Sequence, residues 1–62
     1  STMEYTQVQL VDPYSGQIFF VEDFENGLSE GQILQLNNLK KGLNILFIKT
    51  ISHSKAFKIL KY

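Results

Sequence analysis

The residue types able to carry chemistry are few in this chain and widely spaced. His53 is its only histidine and lies between Ser52 and Ser54. A nucleophilic triad needs a hydroxyl beside an imidazole that a carboxylate orients. Adjacent residues in a tight turn are not expected to face each other in that way, so His53 reads as an exposed turn residue without a catalytic role. Glu22, Asp23 and Glu25 have the composition of a calcium or acid–base cluster. Alternation along a strand would send Glu22 and Asp23 to opposite faces, and no Asp-x-Asp-x-Asp-Gly loop is present. Gly27 and Gly31 lack the strand–loop–helix setting of a phosphate cradle. Without cysteine, one histidine leaves no set of nitrogen and sulfur ligands for a structural zinc. No catalytic residue, metal site or cofactor is expected.

Charge is divided along the chain although its formal net value is +0. Glu4, Asp12, Glu22, Asp23, Glu25 and Glu30 all precede Lys40, Lys41, Lys49, Lys55, Lys58 and Lys61. Such a division makes either an electrically polar molecule or acidic strands paired with basic ones. Pairing is the expectation. There is no arginine, the usual bidentate reader of bases and phosphates. Phe19 with Tyr14 or Tyr5 could offer a stacking platform to single-stranded nucleic acid. Large apolar residues on both faces of a strand point instead to packed layers, and no nucleic-acid partner is expected. No apolar run reaches the ~18 residues of a membrane helix, so direct membrane insertion is not expected either.

These residues must be positioned by a small fold. At 62 residues, folding removes only about 60% of the surface of the unfolded chain, and without disulfides stability rests on a thin core or on association. Residues 1–3, Ser-Thr-Met, read as an expression remnant, and residues 4–62 as a single domain. The first run, EYTQVQLVD, alternates Val8 and Leu10 against Gln7 and Gln9, as a half-buried strand does. DPYSGQ is a turn: Asp12 can bond nearby backbone, Pro13 presets its own φ, and Gly16 can take a positive φ. QIFFVEDF follows, with Ile18, Phe20 and Phe24 on one face and Phe19 and Val21 on the other, closing a hairpin.

ENGLSEGQ then leads the chain away as a loop. A helix starting at Ser29 would align Ile33, Leu36 and Leu39, but only about nine residues precede the Lys40–Gly42 break, short for a helix. A short strand over residues 32–36 is the expectation. LNILFIKTI places Leu43, Ile45 and Phe47 opposite Leu46 and Ile48, and apolar residues on both faces mark a central strand. SHSK turns the chain into a last strand, AFKILKY, with Phe57 and Ile59 opposite Leu60 and Tyr62. The fold class is all-β, with about five strands that are all or nearly all antiparallel.

The order of these segments, from VQLVDPYSGQIFF through an acidic loop to ILQLNNLKKGLNILFIKT and KAFKILKY, resembles the C-terminal type A sorting domain of type IX secretion system cargo proteins. Leu36, Leu39 and Gly42 fit that family's Leu-x-x-Leu-x-x-Gly segment. Asp12 and Gly16 fit its first turn, and Lys55, Lys58, Ile59, Leu60 and Lys61 fit its closing strand. Two features depart from the pattern: Asn44 stands where an aromatic residue is usual, and no strand precedes Glu4. The resemblance implies a small antiparallel β-sandwich, Ig-like and of Greek-key type, that either lacks its first strands or is a shortened variant, and an address rather than an enzyme. Carried at the end of a larger cargo, it would be recognised by the translocon, directed through the outer membrane to the cell surface, and removed there by a surface peptidase. Lys55, Lys58, Ile59, Leu60, Lys61 and Gly42 would then be the recognised residues. A bare sheet edge left by absent strands would also invite a homodimer by edge pairing or strand swapping.

Overall fold

The computed structural model describes residues 4–62. It holds four strands: β1 (Thr6–Val11), β2 (Ile18–Phe24), β3 (Gly42–Thr50) and β4 (Ser54–Lys61). They form one antiparallel sheet in the order β2-β1-β3-β4. The all-β class is as the sequence implies, and β3 lies between two neighbours as its two apolar faces require.

Hydrophobic alternation fixes which face is buried. Thr6, Val8 and Leu10 stand opposite Phe24, Glu22 and Phe20 on one side and Thr50, Ile48 and Leu46 on the other. Directly paired residues share a face, so these side chains form the covered face of the sheet. Val8, Leu10 and Leu46 are its buried apolar centre.

The first hairpin turns as its residues dictate. Asp12 Oδ1 accepts the Tyr14 N–H at 2.9 Å, and the Asp12 carbonyl accepts the Gly16 N–H at 2.8 Å, with Gly16 at φ 76°. Alternation in β2 breaks, however. Leu10 pairs with Phe20 and Val11 with Ile18, which leaves Phe19 as the extra residue of a β-bulge. The bulge carries Ile18 off the face of Phe20, against expectation. Phe19 instead packs toward the core and lies beneath the Lys40 ammonium, 4.6 Å from its ring centroid.

The fifth strand does not form. Residues 32–36 are neither strand nor helix. Topology gives the reason: β2 and β3 run parallel on either side of β1, and the chain must return along the length of the sheet to join them. That crossover, residues 25–41, lies over the covered face rather than beside an edge. Leu28, Leu34, Leu36 and Leu39 pack from it onto the Val8–Leu10–Leu46 centre. Apolar packing of these leucines holds the segment over the face without strand pairing at an edge.

Acidic and basic strands do not pair. Every ladder sets charged residues against neutral ones, with Glu22 opposite Val8, Asp23 opposite Gln7, and Lys55 opposite Ile48. Glu22 and Asp23 lie on the β2 edge, and Lys55, Lys58 and Lys61 on the β4 edge at the far side of the sheet. Among the described residues the one ion pair is Lys40 Nζ to Asp12 Oδ2 at 3.8 Å, between the crossover and the first turn. The polar-molecule alternative is therefore the one realised.

Candidate recognition surface

The closing strand is where the family resemblance would put recognition, and its neighbours decide what it presents. β4 pairs only with β3, from Gly42 opposite Lys61 to Lys49 opposite Ser54, so its other edge is open. Its lysines do not share one face. Lys55 and Lys61 stand on the covered side with Phe57 and Ile59, and Lys58 on the other with Ala56 and Leu60. Ile59 alone is half-buried and packs against the core, whereas Phe57 and Leu60 remain about half exposed. Lys61 Nζ donates to the Leu39 carbonyl at 3.3 Å, tying the strand end to the crossover.

The Leu-x-x-Leu-x-x-Gly residues serve packing and backbone geometry. Leu36 and Leu39 are half-buried on the core, and Gly42 opens β3 at φ 95°. A Cβ at Gly42 would meet no atom, so the requirement is for the backbone angle alone.

Asn44 was not singled out by chemistry, yet it is fully buried. Its Oδ1 accepts the Lys40 N–H at 2.9 Å. Its Nδ2 donates to the carbonyls of Lys40 at 2.7 Å, Gly42 at 3.1 Å and Ile59 at 3.4 Å. One side chain thus closes the turn into β3 and reaches across to β4. An apolar aromatic could fill this position but could not satisfy those backbone groups. A buried asparagine two residues after a glycine, inside an apolar run, was the available signal.

At the opposite edge, Asp23 accepts hydrogen bonds from the Tyr5 hydroxyl and from Gln7 Nε2, the latter at 3.1 Å. The Tyr5 bond foremost, then the Gln7 bond, holds the Asp23 carboxyl below the ordinary carboxylate range, and the same bond raises the Tyr5 hydroxyl. Asp12 is lowered chiefly by the Tyr14 N–H.

The turn at Ser52 and His53 corrects a sequence expectation. The neighbours do meet, with Ser52 Oγ 2.8 Å from His53 Nδ1, and the Glu4 carboxylate lies 3.2 Å and 3.3 Å from the same hydroxyl. The order of contacts is not that of a triad. The Ser52 hydroxyl donates its hydrogen bond to the Glu4 carboxylate, so the carboxylate engages the hydroxyl directly and does not orient the imidazole. All three residues are exposed.

A cleft of about 380 Å³ opens between β2 and the crossover, bounded by Phe20, Glu22, Phe24, Ile33 and Leu34. Among the described residues no three His, Cys, Asp or Glu side chains are grouped to hold a metal ion. Among the described residues no helix is long and apolar enough to cross a membrane. No protein-family model, curated protein or solved structure matches this chain.

Proposed function

We propose that this chain is a C-terminal sorting domain that directs a larger cargo through the type IX secretion system to the cell surface. In this reading the translocon and the surface peptidase are its partners, and it catalyses nothing itself. One observation carries the proposal: the lysine-bearing last strand is an ordered edge, open along its length. An open edge offers backbone donors and acceptors for β-augmentation, and Lys55, Lys58 and Lys61 add charge that selects an acidic receptor strand. Gly42 belongs to the surface by starting the strand that holds β4 in place.

The sandwich form belongs to the same proposal. Opposite the covered face, Val11, Leu43, Ile45, Phe47 and Leu60 share the other face of the sheet, away from the side on which the crossover leucines pack. Strands carried upstream of Glu4 in a parent protein would lay a second sheet there and complete an Ig-like sandwich.

The test is a reporter fused to residues 4–62 in a host with type IX secretion. Removing residues 55–62, or changing Lys55, Lys58 and Lys61 together to Gln, is expected to leave the reporter inside. Circular dichroism of the Gln variant confirms that the strand remains. Export equal to that of the unaltered fusion would overturn the assignment of recognition to this end. A second reading, an extracellular interaction or ligand-binding module, draws on the cleft between β2 and the crossover. It predicts that reporter export is indifferent to the domain.

A further inference from the structure

The two open edges of the sheet fit each other. From the charge, direction and register of these edges we infer that copies of this chain associate head to tail, with β2 of one copy joining β4 of the next in a continuous antiparallel sheet. Within one sheet β2 and β4 run in opposite directions, because each adjacent pair is antiparallel across four strands. A translated copy therefore brings β4 alongside β2 in antiparallel orientation without any turnover.

Hydrogen-bonding parity agrees with this arrangement. Thr50 donates to the His53 carbonyl at 2.7 Å, and bonded pairs alternate along an antiparallel ladder. Carried through the sheet by its registers, that alternation turns the backbone groups of Ser54, Ala56 and Lys58 outward on one edge and those of Val21 and Asp23 outward on the other. Pairing Val21 with Ala56 and Asp23 with Ser54 joins them.

In that register Glu22 stands opposite Lys55 and Phe20 opposite Phe57, all on the side that the crossover covers. Sliding by two residues either way sets Lys55 against Phe24 or Phe20. Sliding four residues brings Asp23 to Lys58, but Glu22 then faces Ile59 and Phe20 faces Lys61. The four-residue slide also sets Phe24 against Phe57, but of these registers the first alone gives Glu22 a lysine partner. Val21 and Phe57, 48% and 45% exposed in the single copy, are covered by it. Like edges do not pair so well, since β2 bears only acidic charges and β4 only basic ones. A heterologous contact of this kind does not close, so the product is an open array rather than a dimer. The inference rests on the two edges and not on the export reading, although a copy paired at β4 would occupy the edge that reading offers to a receptor.

The test uses charge reversal in the full chain, followed by sedimentation velocity over a concentration series at low ionic strength. The unaltered chain is expected to grow beyond dimer as concentration rises, and added salt to reverse the growth. Glu22→Lys and Lys55→Glu should each raise the concentration of half-association at least about fivefold, because each puts like charges opposite one another. An equimolar mixture of the two variants should associate again, since every contact between unlike copies is then a lysine opposite a glutamate. Ala56→Pro, which removes an outward N–H and leaves the pairing with β3 intact, should also stop growth. A chain that stays monomeric, one that stops at a dimer, or a mixture no more associated than its components would overturn the inference.

Discussion

Asn44 shows how much one polar side chain can hold in so small a molecule. Its carboxamide satisfies Lys40, Gly42 and Ile59 at a site closed to water. Asn44→Ala is expected to cost on the order of 1–3 kcal/mol, read from urea denaturation midpoints, because it strands those backbone groups. Asn44→Asp should cost more, since a carboxylate would face carbonyl oxygens with no proton to offer. The acidic edge makes a separate prediction. Asp23 and Asp12 bind protons less readily in the folded chain, so their contribution is complete above the ordinary carboxylate value of ~4 and fades as pH falls through the lowered folded values. Asp23→Asn should therefore flatten the acid limb of a stability–pH curve. It should also return the Tyr5 hydroxyl toward an ordinary titration, visible as an earlier phenolate absorbance on the alkaline side. An acid limb unchanged by Asp23→Asn would exclude the Tyr5–Gln7–Asp23 bonds as its cause.

At the scale of the elements, the crossover and the entry to β3 carry the clearest expectations. Gly42→Ala meets no atom, so any loss measures the backbone angle, of order 1–3 kcal/mol. A midpoint equal to that of the unaltered chain would show that β3 can start from another angle. The same elements show what the sequence could disclose. Four strands and the Asp12–Gly16 turn were legible, because alternation and turn chemistry are written in neighbouring residues. The Phe19 bulge was hidden, since an inserted residue does not interrupt an apolar run. The crossover was hidden for a different reason. Ile33, Leu36 and Leu39 fall at helical spacing in a segment short for a helix, which favours a strand, and their actual place depends on where β2 and β3 lie, which no local pattern states. The closing-strand lysines were found as a group. Their separation onto two faces follows from alternation, but their distance from the acidic strand needed the strand order.

For the whole molecule, the buried apolar centre of three side chains leaves little reserve. Leu10→Ala should remove ~2–5 kcal/mol, comparable with the whole stability of a domain of this size, and leave the chain largely unfolded by far-ultraviolet circular dichroism at room temperature. A folded variant would show that the crossover leucines can close over the gap.

The strand order also sets when this chain can fold. β1, the first of these four strands in chain order, lies in the interior of the sheet and pairs with β3, so its residues meet partners as distant as Thr50. Half of its ladder is missing until most of the chain exists. The crossover, too, has no complete floor to rest on before β3 arrives. Contacts of such long sequence separation place folding on the slow side for so short a chain, within the range of milliseconds to seconds. The β1–β2 hairpin by itself is of marginal stability, and the four-stranded sheet forms only once β3 and β4 have followed it.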